Sequence, residues 1–260
     1  MAERELLFGI EIEAEYNARL LRHITKGGHH RPRQVTENWF AEDDGSVDNT
    51  GNRDMNGWDT IELVSRPFRL CEYKAVMDDF IENVCRGHHF KTVLNFNKSC
   101  GAHIHVSCLR KTNKTYRVGF HQWDFTFEGQ QDWFNLSIET IEKIREKVHK
   151  KVKECRENYF RGFAQKVEKR NYGTERFLEW NTQANPNPRS EVVKHAEYRS
   201  FNFSAGISRW AELYWAYYKV FRILERELLK GCPDTQTIKV QVKARRDTAR
   251  RRITVRQEDV

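Results

Sequence analysis

The chain has 260 residues, of which 38% are hydrophobic, 32% charged and 12% aromatic, and its formal net charge is +8. That length is ample for a core, and seven Trp, nine Tyr and sixteen Phe exclude a disordered chain of the low-hydrophobicity kind. No apolar run approaches the roughly 20 residues of a membrane span, and the charged opening MAEREL is no signal peptide, so the expected setting is cytoplasmic with no membrane partner. The six cysteines (Cys71, Cys85, Cys100, Cys108, Cys155 and Cys232) are scattered with no CxxC pair, which predicts reduced thiols rather than zinc or disulfides.

The first predicted strand runs from about Glu5 to Glu15. In LFGIEIEAEY, Glu11, Glu13 and Glu15 fall at every second position, so a strand gathers three carboxylates on one face and Ile10, Ile12 and Ala14 on the other. RHITKGGHHRPRQ is basic and glycine-containing, and predicts a loop. NWFAEDDGSVD reads as a strand end entering a turn at Asp44-Gly45-Ser46, and DTIELVSRPF as a strand stopped by Pro67. CEYKAVMDDFIENVCRG keeps helical spacing through Tyr73, Val76, Phe80 and Val84, with Gly87 suited to its C-terminal cap. CGAHIHVSC returns to strand periodicity, and the aromatic VGFHQWDFTFEGQQDWF is a candidate hairpin, over the site or packed on the core. A helix follows over Trp133 to Lys153, with Glu139–Lys143 and Glu146–Lys150 pairs on a solvated face. NTQANPNPRSEVV is a loop, KHAEYRSFNFS a strand, and the segment from Ser208 to Gly231 a helix. This order, with neither βαβ alternation nor GxGxxG, predicts an α+β fold: helices packed on one face of a largely antiparallel sheet.

Four strands place polar residues at period two. Besides Glu11, Glu13 and Glu15, Glu62 points away from Ile61 and Leu63. His103, His105 and Ser107 share a face, and so do Glu197 and Arg199. Each has a bland reading, as an ordinary amphipathic strand or a surface ion pair. If the strands are neighbours, however, one face collects several carboxylates, imidazoles and a guanidinium. A face so acidic calls for cations, and oxygen ligands with a single His suit Mg²⁺ or Mn²⁺ better than structural zinc.

FGIEIE resembles the metal-binding strand of the glutamine synthetase and glutamate–cysteine ligase superfamily. EDDGS followed by IELVSRPF resembles its amidoligase branch, CGAHIHVS is similar to the Gly-x-His-x-His-x-Ser strand of both, and AEYRSFN to the late Glu-x-Arg strand. The four motifs occur in the family's order and span about Leu7 to Asn202. The resemblance implies a sheet of glutamine-synthetase catalytic-domain type in residues 1–237, with 238–260 a basic extension. It implies an ATP-dependent carboxylate–amine ligase working through an acyl phosphate, with ATP and Mg²⁺ (or Mn²⁺) as cofactors and a carboxylate and an amine, small or peptidic, as partners. Glu11 and Glu13 would hold metals on opposite sides of the phosphates, and Glu62 with Asp44 would complete one shell. His103 and Glu197 would join Glu11 on the other metal. Arg199 and Arg66 would lie against the transferring phosphoryl group, with Glu13 and Ser65 also on the nucleotide side and Glu197 also among the catalytic groups. Glu15 and His105 are supporting or structural residues in this reading. The chain departs from the pattern in Ser65-Arg66-Pro67, which adds an Arg. It has no clear Asn-rich nucleotide loop, and it is too short for the synthetases' extra domain and ring to carry over.

Three other readings stand beside it. Cys100 or Cys108 would be a nucleophile with His103 or His105 as base. A kinase outcome stays open, because the superfamily includes guanidino kinases. In the third, the tail KVQVKARRDTARRR and KGGHHRPR bind nucleic acid or a partner on an inactive ligase-like fold, although aromatics interleave poorly with the arginines.

Overall fold

The fold was obtained as a computed structural model, which describes residues 4–28, 31–43, 57–97, 99–120, 123–132, 195–202 and 209–231, together with residues 45, 47, 146, 147, 150, 164, 165, 180 and 181. β1 (Arg4–Asn17) lies inside the sheet, between β4 (Trp58–Ser65) and β7 (Ala102–Phe120). Outward from β4 come β3 (Trp39–Glu42) and β2 (Arg33–Gln34). Outward from β7 come β11 (His195–Asn202) and β10 (Trp180–Asn181). Short strands complete the ladder: β5 (Phe68–Arg69) and β6 (Leu94–Asn95) pair with β1, and β9 (Ala164–Gln165) pairs with β11. The pairings between these strands are antiparallel. The expected hairpin is present: β8 (Trp123–Asp132) folds back on β7 with Phe120 opposite Trp123.

Alternation decides which face goes where. Leu6, Phe8, Ile10, Ile12 and Ala14 of β1 are buried in one core with Ile61 and Leu63 of β4 and Ala102, Ile104 and Val106 of β7. α1 (Tyr73–Asp79), the short α2 (Phe90–Val93) and α3 (Trp210–Gly231) cover that face, inserting Tyr73, Val76 and Met77, then Phe90 and Val93, and, at helical spacing, Leu213, Ala216, Tyr217, Val220, Phe221, Leu224 and Leu228. Phe221 anchors the contact, with its ring 4.8 Å from Phe8, 5.7 Å from Phe68 and 5.2 Å from Tyr73. Fully burying each such side chain contributes about 1.5–3 kcal/mol. The architecture is α+β, an antiparallel sheet with helices against one face.

The predicted 71–87 helix forms in three pieces. A 3₁₀ turn (Leu70–Glu72) leads into α1, and a π turn (Phe80–Val84) follows, where the Cys85 N–H donates to Phe80 O. Arg86 and Gly87, both at positive φ, then reverse the chain, with Gly87 N–H donating to Ile81 O. Pattern predicts the Gly87 cap, but the left-handed Arg86 has no signal in the sequence.

Ser-Arg-Pro produces a second local departure. β4 pairs with β1 from Glu11 onward and β5 pairs with Leu7 and Phe8, so the ladder breaks between them. Pro67 has no N–H to carry it through. Ser65 Oγ fills the gap, accepting from Ile10 N–H at 2.9 Å and donating to Arg66 O at 2.9 Å. The Arg66 guanidinium donates to Asn38 Oδ1, Pro67 O and Glu72 Oε1, each at 2.8 Å. Ser65 and Arg66, expected at the nucleotide, thus hold the bend between β4 and β5.

Of the helix expected over Trp133 to Lys153, residues 146, 147 and 150 are described, and all three are helical and exposed, as the solvated-face reading of Glu146 and Lys150 expects. Its remaining residues, the 182–194 loop and the basic 238–260 extension lie outside the described residues. Among the described residues no helix is long and apolar enough to cross a membrane.

Candidate metal centre

The opposite face of the same strands carries the acids. Register sets them side by side: Glu42 of β3 opposite Glu62 of β4, Glu62 opposite Glu13 of β1, Glu11 opposite His103 of β7, and His105 opposite both Gly9 and Glu197 of β11. Glu13, Glu42, Glu62, His103 and Glu197 are all buried, and Glu11 is nearly so. Five strands therefore deliver five carboxylates and two imidazoles to one surface.

Contacts among them converge on His103. Its Nδ1 meets Glu11 Oε1 directly and lies 3.4 Å from Glu197 Oε1, while Nε2 is 3.7 Å from Glu13 Oε1. The second oxygen of Glu11 is held by His105 Nε2 at 2.9 Å. Glu13 is fixed twice by one residue: Gly101 N–H donates to its Oε2 at 2.5 Å, and its own N–H donates to Gly101 O at 3.0 Å. From the helix side, Tyr217 Oη donates to Glu11 O at 3.4 Å, so α3 braces the strand that carries the acids. Glu15 continues the row and accepts from Asn95 Nδ2 at 2.5 Å, which suits the supporting role expected of it.

Electrostatics follow from this crowding. Burial alone raises the pKa of Glu11, yet the charges and hydrogen bonds of His103 and His105 hold it well below the usual carboxylate range. Glu62 goes the other way. Burial, the charges of Glu11 and Glu42, a hydrogen bond with Glu42 and the charge of Glu13 push it up to about 11. At neutral pH Glu62 keeps a proton, which a cation would displace.

Two trios bring one ligand atom each to within 4.8 Å of one another: Glu11, Glu13 and His103, and Glu11, His105 and Glu197. His103 Nε2 and Glu42 Oε2 are also buried without a hydrogen-bond partner among the described residues. A donor set of carboxylates with imidazole, holding orphaned buried atoms and a retained proton, fits a divalent cation of the Mg²⁺ or Mn²⁺ kind.

The expected residues Glu11, Glu13, Glu62, His103 and Glu197 meet here. Ser65 and Arg66 do not. Asp44 lies outside the described residues, and Arg199 is on β11 but its side chain is outside them. The register of β11 against β7 shifts between Tyr198 and Phe201, so the alternation that was to put Arg199 beside Glu197 falls on an irregularity. His105, expected as a supporting or structural residue, touches Glu11 directly. Glu42 is absent from the expected set; it sits opposite Glu62, and only the β3–β4 register reveals it. Cys108 is buried on the helix side of β7, on the face opposite both histidines, which weakens its thiol reading, and Cys100 is buried with its Sγ accepting from Asn97 N–H. Comparison with family models, with curated proteins and with solved structures returns no match.

Proposed function

We propose that the chain is an ATP-dependent carboxylate–amine ligase of the amidoligase kind, on a sheet of glutamine-synthetase catalytic-domain type. One observation supports it above the rest: Glu11 and Glu197, from different strands, both aim a carboxylate oxygen at Nδ1 of His103, with Glu13 and Glu62 beside them. Glu11, Glu197 and His103 would hold one cation, and Glu13 and Glu62 another, with Glu42 and His105 fixing the carboxylates. Bound cations would neutralise charge on the phosphate oxygens, which phosphoryl transfer needs above all.

In this reading a substrate carboxylate oxygen attacks the γ-phosphorus of ATP, the bond to the bridging oxygen breaks, and ADP leaves. The acyl phosphate is then attacked at its carbonyl carbon by the amine, which gives up a proton as phosphate departs. Glu197 is the base we assign to that proton, and Arg199 the cation against the transferring group. The Arg66 guanidinium is engaged with Asn38 and Glu72, so we assign the contact to the transferring group to Arg199.

Hydroxylamine tests the step itself, because it converts acyl phosphates to hydroxamates. Pools of carboxylates with MgATP should yield hydroxamate and ADP in equal amounts with the wild type and neither with Glu13→Gln. ADP release without hydroxamate would replace the ligase with a kinase or a hydrolase.

A further inference from the structure

Gly101 precedes the histidine strand and touches the site through its backbone alone. Its N–H and C=O both go to Glu13. Its missing side chain matters as much. A Cβ built there would overlap His103 Nε2 and stand 2.8 Å from His103 Cε1 and 2.9 Å from Glu13 Oε2, closer than real Cβ contacts come. None of those atoms ends a freely swinging chain. The His103 ring is 0% exposed and tied by Nδ1 to Glu11, and Glu13 Oε2 is tied to Gly101 itself. The backbone at Gly101 is not in the left-handed region, so alanine suits its φ. The nearest atoms a methyl group there would meet all belong to the site.

We infer that Gly101 is a positioning residue: its peptide groups aim the Glu13 carboxylate, and its lack of a side chain leaves room for the His103 imidazole to lie against it. The inference rests on the proposed cation site. It reaches past the ligands to the residue that sets the distance between two of them, and such supporting contacts change metal affinity about 10–100-fold.

The test compares Gly101→Ala with wild type and with Gly28→Ala, where an added Cβ meets nothing within 4 Å. Mn²⁺ binding is measured by calorimetry, and the ring ¹⁵N–¹H signals of His103 are recorded in the metal-free protein. The inference expects Gly101→Ala to bind Mn²⁺ about 10–100-fold more weakly, with shifted His103 signals and an unchanged circular dichroism spectrum, and Gly28→Ala to match the wild type. Unshifted His103 signals with wild-type affinity would overturn it. Should Gly101→Ala not fold, Gly101→Ala/His103→Ala removes the two closest contacts, both to the His103 ring, and keeps only the 2.9 Å approach to Glu13 Oε2, so it should fold; a double variant that fails where His103→Ala alone folds overturns the inference. Absence of Mn²⁺ binding by the wild type would instead sink the ligase reading, while the ring signals would still judge Gly101.

Discussion

The two faces of one sheet solve opposite problems with the same strands. Toward the helices, Phe8, Ile10, Ile12, Ile61, Leu63 and Ile104 meet α1 and α3 in a core that needs nothing further. On the reverse, one residue out of step each time, Glu11, Glu13, Glu62 and His103 are also buried, but their burial works against the fold. Apolar burial stabilises each side chain by itself. Carboxylate burial costs free energy until a proton or a cation arrives. The difference teaches that period-two alternation, which makes an ordinary amphipathic strand elsewhere, here divides a strand between stability and chemistry.

The comparison can be broken first from the apolar side. Phe221→Ala removes ring contacts to Phe8, Phe68 and Tyr73 and should cost about 3–5 kcal/mol by urea denaturation. The protein that remains folded should bind Mn²⁺ as the wild type does. A parallel fall in affinity would mean that the faces are not separable.

The acidic side should respond with the opposite sign. Glu62 titrates near 4.5 when unfolded and at about 11 in the metal-free fold. Between those values the folded state keeps a proton that the unfolded chain releases, so the stability present below pH 4.5 is progressively lost as pH rises toward 11. Glu62→Gln should therefore stabilise the metal-free protein on the order of 3 kcal/mol at pH 7. The gain should be nil at pH 4 and grow with pH in a thermal-melt series. It should also weaken the stabilisation that Mn²⁺ confers. A variant less stable than wild type at every pH would contradict the burden assigned to Glu62.

His105 sharpens the contrast within the acidic face. His105→Gln can keep the contact to Glu11, whereas His105→Phe cannot. The pair should separate by about tenfold in Mn²⁺ affinity, since such supporting bonds weigh that much. Equal affinities would leave His105 without a part. A separate break concerns Ser65, whose hydroxyl closes the gap between β4 and β5. Ser65→Ala strands the Ile10 N–H at a cost of about 1–3 kcal/mol in a denaturant melt, while nucleotide binding should be untouched. Loss of nucleotide affinity with unchanged stability would return Ser65 to the site.

What the sequence showed follows the same division. Faces were legible, because alternation is a local property: Glu11 and Glu13 against Ile10 and Ile12, and His103 against Ile104, needed no knowledge of any neighbour. Partners were not. Arg66 looks like a phosphate ligand beside a motif until Asn38, 28 residues away, and Glu72 take its nitrogens. Ser65 looks like a nucleotide contact until Ile10, 55 residues away, donates to it. Glu42 needed a register across two strands before it could face Glu62. Gly101 is one letter of the CGAHIHVS motif, and only three-dimensional distances turn it into a space that His103 and Glu13 require. Pattern tells which way a side chain points, and the rest depends on which strand lies alongside.

Calorimetric binding of a non-hydrolysable ATP analogue, with and without Mn²⁺, to the wild type and to Glu13→Gln tests the central claim most directly. The account predicts binding that requires the metal and falls at least tenfold in Glu13→Gln, while Phe221→Ala binds normally where folded. Metal-independent binding, or equal affinity in Glu13→Gln, would contradict it and leave the acidic face without the role assigned to it.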